Sequence, residues 1–481
     1  MPTVKEVTSL AGELHEECGV FGIWGHMEAA LKAYWGTFSL QHRGQESAGI
    51  AVLDRGEITV HKGMGLVTEA LKVEIEVLRP GHAALGHVRY STSGESSLVN
   101  AQPLLMRTRF GPLALAHNGN LVNAPQLREE LAASGSIFQG TSDSEVLAHL
   151  LAKSTEAHLI DALVESLPKL KGGFAFAVLS PEGLFAARDP HGIRPLVLGR
   201  APSGGIVIAS ETCAFDTTQT EWLRDVEPGE LIAISDQGTI FKSFVGENEK
   251  PKRALCSFEA VYFARPDSQI DGQSTHLSRR QLGRRLALEA PAEADVVVGV
   301  PDSSLPAAMG YAQAANLPFD FGLVKNRYIA RTFITPTQTE RESSVQLKLS
   351  AVREVVAGKR VVLVDDSLVR GTTSRRLVLL LRQAGAKEVH MRIASPPYRD
   401  PCHYGIDTSR AGELAARTMT LEALRVSVGA DSLAYLSIEG LEAGLGSQGW
   451  CMACFGAGYP VPLPVSAVEE ETPDVQTSHI S

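Results

Sequence analysis

The sequence predicts a two-domain protein, a strand-rich α+β half followed by an α/β half built on a parallel sheet. Three observations predict it. The chain has 481 residues, more than one ordinary hydrophobic core accommodates. From Cys18 to about residue 245, short apolar runs such as GVFGIWG, GIAVL, GFAFAVL and GGIVIAS are separated by glycine-rich turns. Beyond residue 253 the runs become continuous and β-branched, ADVVVGV at 294–300 and KRVVLVDD at 359–366, as in strands buried on both faces.

Within the first half the pattern predicts helices over 124–134 and 144–152. The second follows the polar cluster Thr141, Ser142 and Asp143, which suits a helix start. The charged string GENEKPKR at 246–253 breaks the apolar pattern and predicts a linker, so the domains are expected over 18–245 and 254–463. A helix is expected over 281–289 between the parallel strands, and the polar, acidic residues 464–481 are expected to be a disordered tail. With 44% hydrophobic and 21% charged residues the composition is that of a soluble globular protein, and no apolar run is long enough to cross a bilayer. A formal net charge of −10 argues against a general nucleic-acid surface while leaving room for local basic pockets that hold small anions. The first seventeen residues, MPTVKEVTSLAGELHEE, lack a basic start and an apolar stretch, so they do not read as a signal peptide. Six cysteines in such a chain predict thiols or metal ligands in a reducing cytoplasm, not a disulfide framework.

Cys18 opens ECGVFGIWG, just before a predicted strand. Cleavage after Glu17 would leave it as an N-terminal residue whose freed α-amine, with a reference pKa near 8, can accept the proton of its own thiol. A lone cysteine before a strand is more often a buried core residue. The strings that follow alter that balance: SLQHRGQESAGI, GHVRYST, LAHNGNLVN and TSDSEV occur in order over about 130 residues. Together with ECGVFGIWG they resemble the glutamine amidotransferase domain of the N-terminal nucleophile hydrolases. The resemblance implies an αββα sandwich, residues 1–17 as a propeptide, Cys18 as nucleophile, and Asn118 with Gly119 as oxyanion donors. It places Arg89 on the glutamine carboxylate and Asp143 on its amino group, with Arg43 and Gly44 of the QHRGQ turn lining the pocket. The chemistry suits these types, since arginine offers a planar fork to a carboxylate and an amide plus a backbone N–H can meet a tetrahedral oxyanion.

In the second half, VVLVDDSLVRGTTSRR is a buried strand, two acids, and a loop of glycine and hydroxyl residues that opens a helix. Backbone N–H groups and the hydroxyls of Thr372, Thr373 and Ser374 can surround a phosphate there, and the acids fall at the carboxyl edge of a parallel sheet, where ligands bind in such folds. The string resembles the phosphoribosyl-diphosphate motif of type I phosphoribosyltransferases. That implies Asp365 and Asp366 on the ribose hydroxyls and on Mg²⁺, with Ser367, Arg370 and Gly371 in the same loop. Ser303, in VPDSS, matches the second metal and pyrophosphate loop. The segment KNRYIARTFITPTQTERESSVQLKLS resembles the mobile loop of glutamine phosphoribosyl-diphosphate amidotransferases, which implies Lys325, Arg327 and Arg331 as anion contacts. Gln346 departs from that pattern, in a segment where an arginine is expected.

Cys451 and Cys454 form C-x-x-C, while Cys256 and Cys402 stand apart in sequence. Four thiolates suit either structural Zn²⁺ or an iron–sulfur cluster. The contexts ALCSFEAVYFARPDS and DPCHYGID resemble the propeptide-bearing, [4Fe–4S]-containing group of that amidotransferase family, which implies the cluster on these four cysteines and leaves Cys213 buried and structural. The same resemblance implies a cytoplasmic homotetramer that is inhibited by purine nucleotides and catalyses the first committed step of purine synthesis, with ammonia passed internally between two sites. A sugar-phosphate isomerase partner domain would lack VVLVDDSLVRGTTS, and a non-catalytic purine-binding protein would be expected to have lost Cys18 or the paired acids.

Overall fold

Strands whose residues are small or apolar on both faces need cover on both faces, and the first half supplies it by stacking two sheets between helices. In the computed structural model the described residues are 18–71, 81–90, 95–202, 204–246, 251–326, 349–408 and 411–464. The proposed propeptide, Arg327, Arg331, Gln346 and nearly all of the expected tail lie outside them. One sheet has seven strands in the order Glu221–Asp225, Val197–Arg200, Ile206–Ala209, Gly19–Trp24, Ala83–Arg89, Ser47–Asp54 and Glu57–Met64. The other has six, in the order Gly238–Ser243, Glu230–Ser235, Gly183–Arg188, Gly172–Ser180, Gly111–Leu121 and Leu104–Thr108.

Period-two alternation divides each strand between two cores. Val20 and Trp24 point into the layer between the sheets, where they share a core with Ala116, Ala175, Ala177 and Ile232. Phe21 and Ile23 point the other way and pack with Ala29, Ala30 and Ala33 of the helix Ala29–Ser39. On the far side, Phe174 and Phe176 pack beneath the helices Glu145–Lys153 and Leu159–Ser166. The result is a helix, sheet, sheet, helix sandwich, as expected. The helices expected over 124–134 and 144–152 are Ala124–Ala133 and Glu145–Lys153. Ser144 occupies the N-cap position of the second, but its hydroxyl does not cap; it lies 3.0 Å from His117 Nδ1 and accepts from Gln102.

The second half contains a four-stranded parallel sheet in the order Val296–Gly299, Arg360–Asp365, Glu388–Ile393 and Ser432–Tyr435. Both β-branched runs therefore become buried neighbours, each a little shorter than its apolar string. The helix expected over 281–289 begins earlier, as Thr275–Glu289, because the Ser274 side chain accepts from the Leu277 amide and caps its start. Leu255–Cys256, just after the linker, pairs in parallel with Trp450–Cys451. The entrance and the far end of the second half are thus stitched together. Among the described residues no helix is long and apolar enough to cross a membrane.

Candidate active site

Cys18 sits at the entry to Gly19–Trp24, the central strand of the seven-stranded sheet, with Ala83–Arg89 alongside. Its thiol donates to the Tyr90 carbonyl at 3.4 Å. Burial pushes that thiol up to about 11; Arg89 opposes the rise, while Asp143 and Glu46 add to it. At neutral pH it is therefore held as a thiol and needs a proton acceptor before it can attack. Arg89, Asp143 and Glu46 are thus near enough to Cys18 for their charges to act on its sulfur.

Asn118 and Gly119 lie near the end of the strand Gly111–Leu121. Asn118 is completely buried, yet neither its amide oxygen nor its nitrogen has a hydrogen-bond partner. An unsatisfied buried amide costs stability, so its retention points to a ligand atom that it meets. Gly119 has φ +136°, and a Cβ there would collide with the Gly173 carbonyl across the strand pair. Only glycine lets the chain run this way. Asp143 accepts from the Leu121 amide at 3.0 Å and lies 3.7 Å from His117. Burial pushes its carboxyl up, but His117 and the hydrogen bonds outweigh this and hold it below the usual value. A charged Asp143 is suited to an ammonium group.

Arg43 departs from expectation. It lies in the same pocket wall, but its guanidinium is fully buried and already bonded: Nη1 to Glu211 at 2.5 Å, Nη2 to Glu259 at 2.5 Å, and Nε to the Cys18 carbonyl at 3.0 Å. It braces the backbone of the nucleophile from behind. Gly44 is pressed against the Arg89 backbone, where a Cβ would stand 2.7 Å away.

In the second half, Asp365 ends its strand and Asp366 follows it, both buried at the carboxyl edge of the sheet. Ser303 donates to Asp366 at 2.5 Å, Ser304 donates to Asp365 at 3.0 Å, and Ser367 donates to Asp366 at 2.9 Å. Among the described residues neither carboxylate forms an ion pair. Burial first, and then the charge of Asp366, drive Asp365 far above the usual carboxylate range, and burial raises Asp366 as well. Two adjacent, uncompensated acids with hydroxyl neighbours fit a hard divalent cation such as Mg²⁺. Gly371, at φ +78°, turns the chain into the helix Thr372–Gln383, whose first turn carries Thr372, Thr373 and the buried Ser374. Arg370 is paired with Glu413 at 2.6 Å, and Lys325 lies 3.5 Å from Asp302.

Cys256, Cys402, Cys451 and Cys454 line one small cavity together with Arg194, Tyr404 and Tyr459. Burial pushes the Cys451 thiol up to about 12, and burial and then the three neighbouring thiols push Cys454 well up too. Among the described residues no three of these sulfurs lie within 4.8 Å of one another. A tetrahedral Zn²⁺ with bonds of about 2.3 Å would draw its sulfurs to about 3.8 Å apart. The four thiols are thus not at the spacing of a single tetrahedral ion. Cys213 is elsewhere, buried in the first half beside Glu211 and His42, as expected for a structural thiol.

Several residues around these sites carried no signal in the sequence. Glu211, Glu259 and Arg194 meet only through the tertiary fold. Ser304 could have been found, because VPDSS offers two adjacent hydroxyls and only Ser303 was singled out. His117 lies on the strand Gly111–Leu121 and His87 on Ala83–Arg89; His87 shares a hydrogen bond with the His117 carbonyl at 2.9 Å, and burial holds it down to about 3, so it stays neutral.

Comparison with known proteins agrees with both halves. A glutamine amidotransferase domain family matches residues 87–217, and a phosphoribosyl transferase domain family matches residues 276–395. The chain is 53% identical to an amidophosphoribosyltransferase of Bacillus subtilis, over 94% of this chain and 95% of that protein, and 48% identical to one of Synechococcus elongatus, over 93% and 92%. Among solved structures it resembles the glutamine phosphoribosylpyrophosphate amidotransferase of B. subtilis complexed with ADP and GMP, with a TM-score of 0.88 and 52% identity over 93% of this chain and 98% of that one. A structure described as the allosteric regulatory enzyme of purine biosynthesis gives a TM-score of 0.89 at 51% identity, over 95% and 99% of the two chains. The chain belongs to the amidophosphoribosyltransferase family.

Proposed function

We propose that the chain converts 5-phosphoribosyl diphosphate, L-glutamine and water into 5-phosphoribosylamine, L-glutamate and diphosphate, the first committed step of purine synthesis. The observation that carries the reading is the pairing, in one polypeptide, of a buried Cys18 and an unpartnered Asn118 amide in the first half with a loop of glycine and hydroxyl residues beside two buried acids in the second. Removal of residues 1–17 frees the α-amine of Cys18, which takes the thiol proton; the thiolate then attacks the glutamine amide. Asn118 and the Gly119 N–H stabilise the oxyanion, Arg89 holds the substrate carboxylate, and Asp143 holds its ammonium group. Water releases glutamate from the thioester.

The ammonia travels internally to the second site and attacks the anomeric carbon there. Thr372, Thr373, Ser374 and the N–H groups from Gly371 onward hold the 5′-phosphate, and Asp365 and Asp366 orient the ribose. Mg²⁺, held by Asp365, Asp366 and Ser303, would neutralise charge on the diphosphate as it leaves. Lys325, Arg327, Arg331 and Arg370 serve as further anion contacts. Residues 18–245 and 254–463 form the two catalytic domains. A [4Fe–4S] cluster on Cys256, Cys402, Cys451 and Cys454 would tie the C-terminal segment to the second domain, and the convergence of the four thiols on one cavity supports it. Purine nucleotides as inhibitors are supported by the relative crystallised with ADP and GMP. A cytoplasmic homotetramer completes the reading.

The test is release of glutamate from glutamine, measured with and without phosphoribosyl diphosphate in protein whose N-terminus has been sequenced. Release from a chain beginning at Cys18 supports the reading, and none under either condition sinks it. A colourless, zinc-containing sample after anaerobic purification would remove the cluster.

A further inference from the structure

The backbone of Cys18 is not anchored by the first half alone. Its carbonyl accepts from Arg43 Nε at 3.0 Å, and the remaining arginine nitrogens reach two carboxylates. Glu211 belongs to the first half, just past the strand Ile206–Ala209. Glu259 comes from beyond the linker, in the single turn Glu259–Phe263. It accepts from Arg43 Nη1 at 3.0 Å and from Nη2 at 2.5 Å, and Arg194 stands 3.6 Å away. All four side chains are fully buried, so the two arginines and two carboxylates form one buried charge cluster, which His42 extends at 2.8 Å from Glu211. In so dry a place each charge depends on its partners.

The turn that carries Glu259 is gripped from its other side. Arg279, on the helix Thr275–Glu289, donates Nε to the Ala260 carbonyl at 2.9 Å and Nη2 to the Ala264 carbonyl at 2.7 Å. Its charge is near enough to Asp366 to act on it. One short segment therefore lies between the nucleophile's brace and the acids of the phosphoribosyl site. The second half also reaches the oxyanion strand, where Asn120 donates to the His403 carbonyl at 2.9 Å.

We propose that Glu259 is a positioning residue for glutamine hydrolysis, supplied by the phosphoribosyltransferase half and acting on Cys18 through Arg43. Glutamine cleavage then depends on the 259–263 turn holding Arg43 against the Cys18 carbonyl. The inference rests on the reaction assigned above, and its test separates the two.

The full-length, processed enzyme is assayed with glutamine and, separately, with ammonium chloride as nitrogen donor. Glu259→Gln keeps the shape but removes the charge. The expected result is a fall of roughly 10- to 100-fold in kcat for glutamine-dependent synthesis, as for a misplaced catalytic group. KM for glutamine should change less than kcat, and ammonia-dependent synthesis should stay within about twofold of wild type. Cys18 labelling by a glutamine-like diazoketone should slow in step with kcat. Wild-type glutamine turnover in the variant overturns the proposal, and so does an equal loss with both nitrogen donors, which would mark a general structural role. If Glu259→Gln fails to fold, Glu259→Asp keeps the charge and shortens the reach by one methylene; a selective loss with glutamine supports the proposal and full activity overturns it. Failure of the wild-type enzyme to make product from ammonia would instead overturn the assigned reaction.

Discussion

The two reaction centres are built on opposite principles. The glutamine site lies at the ends of buried antiparallel strands, and nearly every group around it is already held: Arg43 by two glutamates, Asp143 by a backbone amide and His117, His87 by a carbonyl. Asn118 stands out among the described residues because both polar atoms of its side chain are buried without a partner, whereas His87 and His117 each lack one for a single ring nitrogen. The phosphoribosyl site lies in loops at the edge of a parallel sheet, and its two buried acids have no ion-pair partner among the described residues, the charge of Arg279 acting on Asp366 without direct contact. The first site is preorganised for a transition state, whereas the second is completed by its ligand. The difference suits a division of labour, in which bond cleavage needs fixed dipoles and a highly charged substrate brings its own counterion.

The sharpest way to break this comparison is at the acids. Replacing both Asp365 and Asp366 by asparagine should reduce synthesis by about 10³-fold or more with either nitrogen donor, while raising the melting temperature by removing buried repulsion. Lower stability in thermal unfolding would mean that the acids are structurally compensated after all. Asn118→Ala should lower glutamine-dependent turnover by about 10²- to 10³-fold, the cost of one oxyanion donor, and leave ammonia-dependent synthesis intact. Its stability should be unchanged or higher, because an unsatisfied buried amide is removed.

Two smaller effects follow from titration. In the chain that still begins at Met1, the Cys18 thiol, raised to about 11, should alkylate with iodoacetamide about tenfold faster for each pH unit up to about 10. A plateau near pH 8 would show that something other than the freed amine activates it. For the acids the folded pKa is raised. Their stabilising contribution is thus complete below the ordinary carboxylate range near 4 and is lost as pH rises toward the raised value. Mg²⁺ should therefore raise the melting temperature more at pH 9 than at pH 5, and an equal shift at both would argue against the acids as its ligands.

Legibility in the sequence followed the range of the interactions. Gly19–Trp24 and Arg360–Asp365 were readable because alternation and β-branched runs are local consequences of burial on two faces. Cys18, Asn118, Gly119, Asp365 and Asp366 were readable because each sits in a short string whose neighbours share its task. The bonds that fix the Arg43 guanidinium are not legible, since nothing near QHRGQ announces Glu211 or Glu259, 168 and 216 residues away. The early start of Thr275–Glu289 was missed because the cap at Ser274 precedes a polar first turn with little apolar periodicity. The spacing of the four thiols is likewise a property of the tertiary fold.

The central claim is that one chain joins two separable chemistries, with Cys18 responsible only for liberating ammonia. Cys18→Ala tests it most directly, with phosphoribosyl diphosphate and Mg²⁺ present and either glutamine or ammonium chloride as nitrogen donor. The account predicts no detectable product from glutamine and near wild-type synthesis from ammonia; loss of both activities, or retention of the glutamine reaction, would contradict it.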